Sequence, residues 1–209
     1  MNVPDPISYL AEPHRRKHGP AGYADYRDFK PWLRDEFVFR CVYCLFRERW
    51  YPNGSAAFSI DHVVPRRVDP TLINDYNNFV YSCTRCNSIK QARIIIDPTK
   101  TAFGEHLRVE KTGQLSALSD DGRFLIYALD LNDELLVKER LFRNKLFDLY
   151  IEFGSSHSSI AELFSQSFSF PSDLPDLKSL RPPDGNSRSG SENDSHHARR
   201  ARGELGNYY

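Results

Sequence analysis

The cysteines are the first residues whose types and spacing could do chemistry, because all four fall into two CxxC pairs. Cys41 and Cys44 form the first pair, and Cys83 and Cys86 form the second. Two thiolates on one tight turn present their sulfurs to the same point, and two such pairs complete the tetrahedral shell that zinc prefers. Such a shell has no open position for a substrate, so we predict a structural zinc site. Thioredoxin-type redox chemistry is disfavoured, because one CxxC would suffice and no βαβ pattern flanks it.

A second set of reactive residues lies between the cysteine pairs and just after them: Asp61-His62, Asn78 and Asn87. Residues of these types can together activate a water and hold a divalent cation. An imidazole with an ordinary pKa of about 6.5 can accept a proton from water at neutral pH. The carboxylate of Asp61 suits Mg²⁺ or Mn²⁺. If this segment is extended, Asp61 and His62 point to opposite sides.

The order of these residues resembles the HNH endonuclease family over about residues 41–93. The matching text is DHVVP, then Asn78 directly before Phe79, then CTRCNSIK. The family's fold is a ββα unit around one divalent metal. The resemblance therefore implies a metal-dependent enzyme that binds DNA and hydrolyses its phosphodiester bonds.

The resemblance also implies a role for each residue. His62 would be the general base, while Asp61 and the side-chain oxygen of Asn87 would hold Mg²⁺ or Mn²⁺. Asn78 would hydrogen-bond across the loop and fix the strand that aims His62. The chain departs from the family pattern twice. Asn87 stands where many members have His, which makes the ligand neutral and weaker, and the loop RRVDPTLIND lacks the glycine pair that many members carry, which leaves the metal preference open.

Four cations lie near enough in sequence to contact phosphates: Arg66, Arg67, Arg85 and Lys90. For each of them a solvated surface charge is an equally good interpretation. The net charge is zero, but residues 1–100 hold 15 Lys and Arg against 11 Asp and Glu, and the remainder holds 13 against 17. The small positive surplus lies in the half with the cysteines, and alone it carries little weight.

A small α+β scaffold would position these residues. Pro31 fits the first turn of a short helix that carries Trp32, Leu33 and Phe37. The pattern then predicts strands at residues 58–63 and 79–82 and a helix from about 84 to 93. Because a ββα unit of this size is too small to hold a site rigid with its own core, the structural metal would supply the missing rigidity.

The remaining chain is predicted to form separate segments. The expected domains are a mobile basic arm at 1–22, the HNH unit at 23–98, strands and a long helix at 99–153, and a mostly disordered tail rich in Ser, Pro and Gly at 154–209. Within the third segment, GRFLIYALD reads as a strand after a turn at Asp120-Asp121-Gly122, and a helix begins near Asp133. A helically spaced apolar stripe on that helix is predicted to be packed: Leu135, Phe142, Leu146, Leu149 and Phe153.

Other function classes are weighed against the nuclease. No run of 18 apolar residues and no apolar signal segment occurs, so a cytoplasmic location is expected. The main alternative is a non-catalytic zinc ribbon that binds nucleic acid or protein, which has no need of an imidazole beside a carboxylate. A third interpretation is a structural zinc protein whose functional surface is residues 103–153. A single ββα unit contacts one strand, so double-strand cleavage would need a homodimer or two successive events.

Overall fold

The computed structural model describes residues 5–209 as an α+β fold, which confirms the predicted class. Its strands form two separate antiparallel pairs. In chain order the elements are helix α1 (Lys30–Glu36), strands β1 (Phe58–His62) and β2 (Phe79–Cys83), helix α2 (Thr84–Lys90), strands β3 (Leu107–Val109) and β4 (Leu115–Ala117), and helices α3 (Asp120–Ala128), α4 (Glu134–Phe153), α5 (Ser158–Phe168) and α6 (His196–Ala201).

Strands β1 and β2 and helix α2 form the ββα unit at the centre of the fold. In the antiparallel pair Phe58 lies opposite Cys83 and His62 lies opposite Phe79. Helix α2 follows β2 without a loop, and the sulfur of Cys83 accepts a hydrogen bond from the backbone N–H of Cys86. The second cysteine pair therefore also caps the helix that carries Asn87.

Helix α1 forms where Pro31 predicts a short helix, and it packs against the ββα unit. Pro31 lies in its first turn, where the missing N–H costs nothing, and Trp32 and Leu33 are fully buried. They join the aromatic side chains of both central strands in the main core. The ββα unit thus gains apolar support from a helix as well as from its cysteines.

The prediction of a strand at GRFLIYALD is wrong, because most of this segment lies in helix α3. Ser119 caps this helix by accepting a hydrogen bond from the backbone N–H of Gly122, and Asp120 and Asp121 lie in its first turn. Gly122 is needed for a close approach and not for a turn, since a β-carbon there would lie 2.0 Å from the carbonyl oxygen of His106. Capping and close packing outweigh the β propensity of the apolar run.

The apolar stripe of α4 is only partly packed, which corrects the prediction. Leu146 is buried, but Leu135, Phe142 and Leu149 are 71%, 55% and 46% exposed. The helix turns another face inward, on which the fully buried Arg140 donates hydrogen bonds to the carbonyl oxygens of Gly113 and Leu131. These bonds pair two of the three guanidinium nitrogens of Arg140, and they lie on the inward face of the helix.

The predicted mobile arm is ordered from His14 to His18, so the prediction is wrong for that stretch. Arg16 donates to the carboxylate of Glu36 (3.0 Å), and the fully buried His18 contacts Asp35 (2.9 Å). Two buried carboxylates on α1 need these partners, and the basic run supplies them. Residues 1–4 of the predicted arm lie outside the described part of the chain.

The predicted disordered tail contains α5 and α6, which corrects that prediction as well. On α5 the rings of Phe164 and Phe168 are fully buried, and Phe164 stacks on Tyr150 of α4 at 3.8 Å between ring centroids. The indole N–H of Trp50 donates to the carbonyl oxygen of Ser167. Aromatic packing and this hydrogen bond thus fix a segment whose average composition is polar. Among residues 5–209, no helix is both long and apolar enough to cross a membrane.

Candidate active site

The four cysteines converge into one buried cluster. Their sulfur atoms all lie within 4.8 Å of one another, and those of Cys44 and Cys83 are 3.7 Å apart. Tetrahedral Zn–S bonds of about 2.3 Å place sulfurs about 3.8 Å apart, so the cluster fits a zinc ion. All four residues are fully buried. The predicted four-cysteine metal site is therefore present, and its burial suits a structural ion.

Asp61, His62 and Asn87 meet at an open, mostly polar cleft beside the ββα unit. Asp61 and His62 are the last two residues of β1, and Asn87 lies one turn into α2. The cleft has a volume of about 420 Å³, which leaves room for a hydrated cation and a phosphate group. Its other lining residues are Tyr26, Ile60, Pro65, Arg66, Arg67, Gln91 and Ala92. Although β1 is extended, which predicts opposite orientations for neighbouring side chains, Asp61 and His62 both line this cleft.

The ring of His62 is held so that one nitrogen faces a backbone carbonyl. Its Nε2 lies 3.1 Å from the carbonyl oxygen of Ile73, and the ring packs edge-on against Tyr26 and Phe79. A carbonyl only accepts hydrogen bonds, so Nε2 carries the proton of the neutral ring and Nδ1 keeps the lone pair. Burial lowers the pKa of His62 from its ordinary value. The imidazole is therefore neutral and able to accept a proton at pH 7.

The carboxylate of Asp61 is buried between two donors. The hydroxyl of Tyr43 donates to Oδ2 (2.6 Å), and the ammonium of Lys90 donates to Oδ1 (3.1 Å). Burial raises the pKa of Asp61, while Lys90 and Tyr43 oppose that rise. Each oxygen of an ionised carboxylate has a second lone pair, so Asp61 can still bind a cation from the cleft.

The side chains of Asn87 and Asn78 have different tasks. The amide nitrogen of Asn87 donates to Ser59 Oγ (2.8 Å) and to the carbonyl oxygen of Ile60 (3.2 Å), which leaves its oxygen for the cleft. Asn78 accepts from the backbone N–H of Val64 (2.8 Å) and donates to the carbonyl oxygen of the same residue (3.0 Å). Asn87 thus fits a metal ligand, and Asn78 ties the start of β2 to the loop that follows His62.

The comparison with protein families agrees with this geometry. Residues 41–93 match the family model described as HNH endonuclease. The chain carries an HNH domain. The match covers both cysteine pairs, the two central strands and α2. The searches of curated proteins and of solved structures found no match to the chain.

Of the four cations predicted near the HNH site, the structure brings two to the cleft surface. Arg66 and Arg67 are exposed and line the cleft, with the guanidinium of Arg66 5.3 Å from the ring centre of Tyr26. Lys90 is fully buried against Asp61, so its predicted phosphate contact is wrong. Arg85 is not at the cleft surface either, since it pairs with Asp130 at 2.7 Å.

Two residues at the HNH site escape sequence analysis. Tyr43, between Cys41 and Cys44, touches Asp61 although 18 positions separate them. Gln91, which directly follows α2, also lines the cleft. Its backbone φ is 51°, a value that residues other than glycine seldom adopt. The position of Tyr43 between two cysteines could have marked it as a candidate site residue. No feature of the sequence marks Gln91.

Proposed function

We propose that the chain is a metal-dependent endonuclease that hydrolyses DNA phosphodiester bonds in the cleft of Asp61, His62 and Asn87. The observation that carries this proposal is the orientation of His62. Its Nε2–H donates a hydrogen bond to the carbonyl oxygen of Ile73, which leaves Nδ1 without a proton. The ring is buried and neutral, and it lies beside the carboxylate of Asp61. A fold that merely binds nucleic acid gains nothing from that arrangement, whereas hydrolysis needs a base in that state.

Each residue would have a defined task in the reaction. Nδ1 of His62 would take the proton from the attacking water, while the carbonyl of Ile73 holds the ring in place. Asp61 and the side-chain oxygen of Asn87 would hold Mg²⁺ or Mn²⁺, which would supply positive charge at the phosphate and at the leaving oxygen. Arg66 and Arg67, exposed at the rim, would bind phosphates on either side of the scissile bond. Reduced cysteines that hold a metal suit a cytoplasmic location, which is part of the proposal.

The test compares supercoiled plasmid cleavage by wild type, His62→Ala and a control variant, each checked beforehand for one zinc per chain. His157→Ala is the matched control, because His157 is exposed at the start of α5 and outside the cleft. With Mg²⁺ or Mn²⁺ we expect nicking by wild type and the control, and a loss of roughly a hundredfold or more in His62→Ala. EDTA should stop the reaction, and added Mg²⁺ should restore it.

Two outcomes would contradict the proposal. If zinc-loaded wild type nicks no DNA with either metal, the chain is better described as a zinc-supported binding module. If His62→Ala cleaves as fast as wild type, any nuclease activity lies elsewhere in the protein. Parallel reactions on single-stranded RNA would test whether DNA is the preferred substrate.

A further inference from the structure

Tyr43 links the four-cysteine cluster to the carboxylate of Asp61 in the cleft. Tyr43 lies inside the first cysteine pair, and its fully buried hydroxyl donates to Oδ2 of Asp61 at 2.6 Å. Its ring packs on Phe103, and its backbone carbonyl accepts a hydrogen bond from the hydroxyl of Tyr9. The residue is therefore fixed at its backbone, its ring and its hydroxyl.

The second cysteine pair reaches the same carboxylate from the other side. Lys90 lies one turn of α2 after Cys86, and its ammonium donates to Oδ1 of Asp61 (3.1 Å) and to the carbonyl oxygen of His62 (2.8 Å). Asp61 is thus held by one donor from each cysteine-bearing segment. Lys90 also balances its buried negative charge.

We propose that Tyr43 is a positioning residue for the metal-binding carboxylate, and that the four-cysteine site acts on the reaction through it. This inference rests on the proposed function, because it takes Asp61 as a ligand of the divalent cation. The zinc would then do more than brace the fold. It would fix the orientation in which Asp61 faces the cleft.

The physical reason is the freedom of a carboxylate to rotate about its last torsion angle. A donor on each oxygen stops that rotation and leaves the remaining lone pairs in one direction. If the Tyr43 hydroxyl is removed, Oδ2 becomes a buried acceptor without its donor, and the carboxylate can turn towards Lys90. A carboxylate drawn towards an ammonium is a poorer cation ligand, so metal affinity should fall while the fold persists.

The experiment is Tyr43→Phe, which removes only the hydroxyl. Tyr81→Phe is the matched control, because Tyr81 is also fully buried and donates to a buried carboxylate, that of Glu48, at the same distance of 2.6 Å. Mn²⁺ binding is measured from the electron paramagnetic resonance signal of the free ion. We expect Tyr43→Phe to bind Mn²⁺ about tenfold more weakly than wild type, as is typical when a partner of a metal ligand is lost. Tyr81→Phe should stay within about twofold of wild type on the same scale.

Kinetics supply a second measurement that a purely structural role would not change. The Mn²⁺ concentration at half-maximal nicking should rise in Tyr43→Phe by the same factor as the dissociation constant. The KM for plasmid DNA should stay unchanged, since Arg66 and Arg67 are untouched. Both variants should retain one zinc per chain.

The outcomes separate this inference from the proposed function. If wild type binds no Mn²⁺, or Asp61→Asn binds it equally well, the proposed function fails and this inference falls with it. If Asp61→Asn loses Mn²⁺ but Tyr43→Phe keeps wild-type affinity, only the positioning role is wrong. Loss of zinc from Tyr43→Phe would also overturn it, because the hydroxyl would then serve the fold.

Discussion

Asn77 and Asn78 are neighbours in sequence with opposite surroundings. Asn78 is buried and its side chain forms two hydrogen bonds with the backbone of Val64, while Asn77 is exposed and its side chain bonds to Asp75. Val64 lies in the loop that follows β1. The Asn78 side chain therefore holds the two ends of that loop together, whereas the Asn77 side chain is exposed to solvent and makes no such link.

We expect Asn78→Ala to lose most of its nicking activity and Asn77→Ala to retain it. Without the amide, the N–H and carbonyl of Val64 lose their partners, and the loop that supplies the Ile73 carbonyl to His62 is released. A base displaced by about 1 Å costs on the order of a hundredfold in rate. Plasmid cleavage at saturating Mn²⁺ measures this, with zinc content as a check. Equal rates in the two variants would show that the loop needs no such tie.

The sequence predicts which residues form the candidate site better than it predicts the contacts between them. The order of Asp61, His62, Asn78 and Asn87 identifies the set, because a family motif preserves spacing along the chain. The pairing of Lys90 with Asp61 is not predictable in this way. A lysine one turn beyond Asn87 reads as a surface cation, and only the burial of Asp61, 29 positions away, makes its ammonium an internal partner.

At the scale of elements, α2 could be predicted from its local sequence, whereas α3 depends on contacts in the folded chain. Strand β2 and the start of helix α2 were predictable from local patterns, since their residues favour the structures they adopt, but α2 ends at Lys90 and not near residue 93 as predicted. Helix α3 was not, because its apolar run has a strand-like composition. Its start depends on the Ser119 cap and on close packing against His106, which are properties of the folded chain.

Helix α1 ends in two buried carboxylates that tie the N-terminal segment to the core. Glu36 accepts hydrogen bonds from Arg16 (3.0 Å) and from the hydroxyl of Tyr76 (2.9 Å), and its Oε1 lies 3.3 Å from His14 Nε2. Burial alone would raise the pKa of Glu36, but the hydrogen bond with His14 and the charge of Arg16 outweigh it and lower the pKa to about 2. This helix therefore makes part of the fold's stability dependent on pH.

The sign of that dependence follows from the depressed pKa. The Glu36 contribution is complete above the unfolded-state pKa of about 4.5 and is lost as the pH falls towards 2, which amounts to roughly 3 kcal/mol. We expect Glu36→Gln to be less stable than wild type at pH 7 and to show a flatter loss of stability between pH 4.5 and 2. Urea unfolding at several pH values measures this, with the exposed Glu162→Gln as control. Parallel curves for wild type and Glu36→Gln would contradict it.

At the scale of the whole molecule, segments distant in sequence close around the HNH domain. Arg34 of α1 pairs with Asp173 beyond α5 at 3.0 Å, and Asp35 accepts from the backbone N–H of His196 at 2.7 Å. The indole of Trp50, a few residues after the first cysteine pair, lies edge-on to Phe168. The C-terminal quarter thus contributes apolar and charged partners to helix α1 and to the segment that follows the first cysteine pair.

Two adjacent residues of α5 test whether this packing stabilises the protein. Phe164 is fully buried against Tyr150 and Phe168, whereas Leu163 is 54% exposed. We expect Phe164→Ala to lower the free energy of unfolding by about 3 kcal/mol, because it leaves a cavity among the aromatic rings, and Leu163→Ala to change it by less than about 1 kcal/mol. Thermal and urea unfolding of the zinc-loaded proteins measure both. If α5 had no fixed packing, as the composition of residues 154–209 alone suggests, the two substitutions would change the free energy of unfolding equally little. A difference between them would show that the buried ring of α5 is part of the cooperative fold that surrounds the HNH domain.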